Sequence, residues 1–178
     1  MPRSPLPSIR PAAEADLQRL VQVEVSAGQL FRDAGLVEVA EHEPDAVELL
    51  QAISGGRAWV IGAGKDAADV VAGYLIAEVL DGNAHVAQVS VDPRHAGRGL
   101  GRALIEHAEA WGRRAGRPAT TLTTFRHLAW NAPYYLRLGY RALGEAEIGP
   151  ELERVMAHEA SFPGMQLAVR CAMVKPNV

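Results

Sequence analysis

A single cysteine, Cys171, stands in this chain of 178 residues. It excludes an intrachain disulfide and a cysteine-built metal cluster. Lysine is almost as scarce: Lys65 and Lys175 are the only two, so arginine carries the positive charge. There is no basic excess either. The net charge is −3, which argues against nucleic acid or an anionic membrane as partner. Long apolar runs are missing. The longest, Val70–Ala77, falls far short of the roughly 20 residues that span a bilayer. The opening MPRSPLPSIRP lacks the apolar core of a secretion signal. No repeat, long linker or low-complexity segment appears. These absences lead to the expectation of a cytoplasmic protein without metal, folded as one domain over residues 1–178.

What is present is ordinary globular material, 48% hydrophobic and 22% charged. Ser8–Arg10 reads as a short strand leading into a helix whose buried stripe is Leu17, Leu20 and Val21, with Glu24 in step. Gly28–Gly35 reads as a break. Val37–Ile53 is a second helical region, which Pro44 interrupts or restarts. Arg57–Gly62 is a strand, Lys65–Asp69 a polar turn and Val70–Val79 a longer strand. Asp81-Gly82-Asn83 is a hairpin signal into His85–Val91.

A glycine turn follows and opens into a helix with the apolar stripe Leu100, Leu104, Ala108, Trp111 and Ala115. Arg102, Glu106, Glu109 and Arg113 fall on the wetter side, with Glu109–Arg113 an i,i+4 pair. Gly116 and Pro118 stop this helix. Ala119–Phe125 is a strand, Asn131 the N-cap of a short helix that Gly139 ends, and Tyr140–Leu143 a short strand. Gly149–Glu159 suggests a helix and Gln166–Val174 a last strand. The order β-α-α-β-β-β-α-β-α-β-(α)-β defines a mixed α/β domain.

The most informative stretch is the glycine turn. Val89–Val91 ends a strand, Gly97, Gly99 and Gly101 follow, and a helix begins at once. Free N–H groups at a helix start and the helix dipole favour an anion, and glycines let its phosphates approach the backbone. The spacing fits G-x-G-x-x-G poorly, and no GK[ST] follows, so neither a Rossmann nucleotide site nor a P-loop is indicated.

Val91-Asp92-Pro93-Arg94-His95-Ala96-Gly97-Arg98-Gly99-Leu100-Gly101 resembles the acetyl-CoA motif of the GNAT superfamily of N-acetyltransferases. Asn131-Ala132-Pro133-Tyr134-Tyr135-Leu136-Arg137-Leu138-Gly139-Tyr140 is similar to that family's second segment, N…Y-x-x-x-G-(F/Y). The resemblance covers about Ser8 to Leu143. It implies the GNAT (acyl-CoA N-acyltransferase) fold, a mixed, mostly antiparallel sheet flanked by helices. One position departs: before Gly97 the family usually has Arg or Gln, and here stands Ala96. Arg98 and Arg102 remain as sources of positive charge.

The resemblance implies direct transfer of acetyl from acetyl-CoA to an amine in a ternary complex, with no metal. The pyrophosphate would lie on the N–H groups of Gly97, Arg98, Gly99, Leu100 and Gly101. The pantetheine arm would pair with the backbone of Val89, Ser90 and Val91, and Asn131 would contact the cofactor. Tyr135, four residues before Gly139, falls where the family places the acid that protonates the departing thiolate. Tyr134 points about 100° away around the helix.

The base is open. Gln88 and Ser90 share a strand face, but Gln88 accepts no proton. Glu24, beside an apolar stripe, is a carboxylate whose pKa could rise, or simply a solvated helix residue. Glu78 and His85 flank the hairpin and are further options. Phe31, Leu36 and Trp130 offer apolar surface, and Glu24, Asp33 and Glu38 charge, for a small cationic or amphipathic amine. A peptide or protein amine, and a non-catalytic module that binds acyl-CoA, are the alternatives. Gln166–Val174 is apolar enough to pair internally or to complete the sheet of a partner in a homodimer.

Overall fold

A computed structural model describes residues 8–64, 70–166 and 169–178. The expected polar turn at 65–69 lies outside the described residues. The elements are β1 (Ile9–Pro11), α1 (Leu17–Asp33), α2 (Val37–Ala40), α3 (Ala46–Ser54), β2 (Ala58–Gly62), β3 (Val71–Leu80), β4 (Asn83–Val91), α4 (Leu100–Arg114), β5 (Ala119–Phe125), α5 (Ala132–Arg137), β6 (Arg141–Ala142), α6 (Pro150–Ala160) and β7 (Arg170–Pro176). Seven strands form one mixed sheet in the order β1-β2-β3-β4-β5-β7-β6. β4 pairs with β5 in parallel, through Ala84, His85 and Val86 opposite Thr120, Thr121 and Leu122. The pairs β1–β2, β2–β3, β5–β7 and β6–β7 are antiparallel. β7 thus pairs internally on both sides. Among the described residues, no helix is long and apolar enough to cross a membrane.

The chain divides into two compact units. One takes the described residues up to Ile76 together with Gln88–Glu106; the other takes Ala77–Ala87 and the described residues from His107 onward.

In the first unit α1 and α3 lie over the sheet on a core of Leu20, Val23, Leu49, Ala52, Ile53, Val60, Val71 and Tyr74. Leu20 and Val23 are fully buried, whereas Leu17 and Val21 pack only at the edge. Contrary to the expected break, α1 runs straight through Gly28 to Asp33. A mid-helix glycine costs about 1 kcal/mol, less than the burial of one leucine at about 2 kcal/mol. The Asp45 carboxylate accepts from the N–H groups of Val47 and Glu48 and so starts α3 just after Pro44.

In the second unit Asp81 and Gly82 both take positive φ, at 49° and 78°. That is the backbone of a two-residue hairpin turn. Gly112 of α4 lets the helix seat closely on the sheet, since a Cβ there would lie 2.8 Å from that of Ala84. The charge pattern on α4 differs from the expected one. Glu109 is buried and bonded to Tyr140 and Lys175, not paired with Arg113 on a wet face. Ala115, placed in the apolar stripe by periodicity, is exposed. The i,i+4 pair that does form is Arg102–Glu106, at 2.7 Å. β6 is only two residues long, and the last strand starts at Arg170.

Candidate active site

The turn after β4 hangs from Asp92, which is 1% exposed. Its N–H donates to the carbonyl of Ala72 at 2.8 Å. Its carboxylate receives Nη2 of Arg94 and Nη2 of Arg19, each at 2.7 Å, and the N–H of Arg94 at 3.0 Å. Nε of Arg19 donates to the carbonyl of Val71 at 2.9 Å. The Arg94 hydrogen bonds, with those of Arg19, hold the Asp92 pKa well below the usual carboxylate range. Arg94 is therefore engaged by Asp92 and does not replace the arginine missing at Ala96.

Gly97 and Gly99 have φ of 74° and 75°, a conformation that costs other residues about 1–2 kcal/mol. Both are exposed, as is Arg98 between them. Nη2 of Arg98 donates to the carbonyl of Ala63 at 2.5 Å, which ties the turn to the end of β2. Leu100 is buried and opens α4. Arg102, one turn on, is exposed and paired with Glu106.

On β4, Val89 and Val91 are half-buried and Ser90 is buried. Gln88 and Ser90 share a face by the two-residue period of a strand, and Nε2 of Gln88 donates to Oγ of Ser90 at 3.0 Å. Both also donate to the Tyr74 hydroxyl, which in turn donates to Oε2 of Glu24. Burial pushes the Glu24 pKa up; the Tyr74 bond and the charge of His42 pull it back, and Glu48 adds to the rise. Sequence reasoning named Glu24 and Ser90 but missed Tyr74. Its only trace was a phenol inside the apolar run Val70–Ala77.

In the second unit the backbone of Asn131 does the capping. Its carbonyl accepts from the N–H groups of Tyr134 and Tyr135, at 2.8 and 3.0 Å. The expected side-chain cap is absent, and the buried Oδ1 of Asn131 has no partner among the described residues. Tyr135 is buried and Tyr134 half-buried. The Tyr135 ring stands edge-on to Tyr134 at 5.4 Å and to Tyr140 at 5.8 Å. Burial raises its pKa, so the hydroxyl keeps its proton at neutral pH.

His85 is not available as a base. It is 1% exposed, its Nδ1 lies 2.9 Å from Oγ1 of Thr121, and burial lowers its pKa to about 4. Trp130, Asp33 and Glu38 are exposed, while Phe31 and Leu36 are half-buried. Glu78 is half-buried on β3. No cluster of three or more metal-ligating His, Cys, Asp or Glu side chains occurs among the described residues.

The sequence profile of the acetyltransferase (GNAT) family matches residues 26–140, more than half of the chain, and the chain belongs to that family. Its class is that of acetyl-CoA-dependent N-acetyltransferases. Solved structures share the fold. The N-acetylglutamate synthase of Neisseria gonorrhoeae, complexed with coenzyme A and N-acetyl-glutamate, aligns at TM-score 0.72 and 15% identity over 99% of this chain. This chain spans only 36% of the length of that synthase. The ribosomal-protein-S18-alanine N-acetyltransferase of Escherichia coli aligns at 0.64 and 17% identity, covering 96% of this chain and 94% of its own. A Mycobacterium tuberculosis protein in complex with CoA aligns at 0.70 and 20% identity, covering 96% and 99%.

Proposed function

We propose that this chain transfers acetyl from acetyl-CoA to the primary amine of a small molecule. The observation that carries the reading is the half-buried Glu24 carboxylate, tied to Tyr74 and raised in pKa by burial. Such a carboxylate attracts an ammonium, and burial makes it a better proton acceptor than a solvated one. The backbone of residues 97–101, with two glycines at positive φ, is read as the pyrophosphate site. The exposed Arg98 and Arg102 add positive charge to it. The backbone of Val89, Ser90 and Val91 is assigned to the pantetheine arm. The unpartnered Oδ1 of Asn131 supports a cofactor contact, since a buried acceptor without a donor is costly.

Tyr135 is assigned as the acid. Its raised pKa keeps it protonated, and no hydrogen bond among the described residues engages its hydroxyl. The ammonium passes one proton to Glu24. The freed amine attacks the thioester carbonyl, the C–N bond forms and the C–S bond breaks. The second nitrogen proton ends on the CoA sulfur by way of Tyr135, and Glu24 releases its own to solvent. The whole chain is read as one acetyltransferase domain. Its one cysteine, buried and unpaired, fits a cytoplasmic setting.

The relatives in structure include proteins named for an amino acid and for a ribosomal protein, so a peptide or protein acceptor is the second reading. The test is release of free CoA thiol from acetyl-CoA with a panel of small amines and of peptides with free N-termini. Turnover with small amines supports the proposal. Turnover with peptides alone replaces it with the second reading. Cofactor binding without turnover on any amine points to a module that binds acyl-CoA and does no chemistry.

A further inference from the structure

Tyr74 heads the fully buried side chains by volume. A phenol with no exposure must find partners for its oxygen or lose stability. Phenylalanine would fill the same space without that need. Tyr74 instead joins three polar side chains from two elements. It donates to Oε2 of Glu24 on α1 and accepts from Ser90 and Gln88 on β4. All four residues lie within the first compact unit.

We propose that Tyr74 is a positioning residue for acetyl transfer, holding the Glu24 carboxylate against the polar face of β4 formed by Gln88 and Ser90. The proposal rests on the reading of Glu24 as the proton acceptor. The bond from Tyr74 engages Oε2 and leaves Oε1 to receive the ammonium proton. Tyr74 itself transfers nothing. Burial, followed by the charge of Glu24, lifts its pKa well above the ordinary phenol value, so it remains a neutral donor throughout the working pH range. Its hydrogen bond favours the charged form of Glu24 and offsets part of the cost of burial. The titratable groups that act on Glu24 besides Tyr74 are His42, between α2 and α3, and Glu48 on α3; Gln88 and Ser90 do not titrate.

The test is a carboxyl-carbon NMR titration of the full chain, with the Glu24 resonance assigned by its loss in Glu24→Gln. Tyr74→Phe should raise the Glu24 pKa by about one unit, the effect of one hydrogen bond to a charged group. The acid limb of kcat/KM, measured with an amine that the panel finds active, should move up by the same amount. A purely structural Tyr74 would lower the melting temperature and move neither. Ser90→Ala serves where Tyr74→Phe does not fold, and should give a smaller shift in the same direction. An unmoved Glu24 titration in the folded variant overturns the proposal. The two readings fail separately. Full turnover with an intact acid limb in Glu24→Gln removes the base. Lost turnover in Glu24→Gln, with an unmoved titration in Tyr74→Phe, removes only the role of Tyr74.

Discussion

The ammonium of Lys175 rests on both oxygens of Glu109, at 3.0 and 2.8 Å, and so joins β7 to α4. The Tyr140 hydroxyl donates to the same carboxylate at 3.0 Å. Glu109 is 4% exposed, so these two partners take the place of the water its carboxylate has lost. Lys175→Met should cost about 3 kcal/mol in chemical denaturation, because it strands a buried carboxylate. Adding Glu109→Gln should recover most of that loss. An equal loss in the single and double variants would show that packing of the lysine stem, not charge, is what counts.

His85 gives the fold a pH dependence. Its folded pKa, about 4, lies below the ordinary value of 6.5 because burial penalises the charged ring. Between these values the unfolded chain binds a proton that the folded chain does not. Stability should therefore rise with pH across this window, by at most about 1.4 kcal/mol per unit from this one group. The contribution is complete above 6.5 and lost as pH falls toward 4. Unfolding free energies of His85→Gln measured from pH 4 to 7 should lack this component, and an unchanged slope would refute the assignment.

Gly99 has φ of 75° and open space where a Cβ would go. Gly99→Ala thus meets no clash but pays about 1–2 kcal/mol for the left-handed backbone. Relief of that strain would turn the N–H groups of the turn away from a phosphate. On the proposed reading calorimetry should find CoA binding about tenfold weaker. Affinity equal to that of the parent would mean that this turn does not bind the pyrophosphate.

Tyr135→Phe should leave CoA affinity unchanged and reduce kcat about 100-fold, the usual scale for a lost general acid. The ring contacts with Tyr134 and Tyr140 do not need the hydroxyl, so the melting temperature should hold. Thiol release and calorimetry on the same preparation separate the two effects. A kcat equal to the parent's would remove Tyr135 as the acid.

Local signals were legible in the sequence wherever the physics is local. Asp81-Gly82 announced the hairpin, because both residues had to take positive φ. Gly97 and Gly99 announced the turn for the same reason, and alternation and helical period placed most elements to within a few residues. Periodicity misjudged Glu109, because a helical wheel separates polar from apolar residues but does not see a lysine 66 positions away. It misjudged Gly28 as well, since tertiary burial of Leu20 and Val23 outweighs one weak helix former. Asn131 was placed correctly as an N-cap, yet the orientation of its side chain depends on what surrounds it.

The sequence by itself determined the order of elements, the glycine turn and the family, because these follow from dihedral preferences and spacing along a short stretch of chain. The tertiary structure alone decided which polar groups are kept from water. Glu24 gained Tyr74 from β3, Asp92 gained Arg19 from α1, and His85 lost its basicity within the sheet. Each outcome depends on desolvation and on partners distant in sequence, and both exist only once the chain has folded.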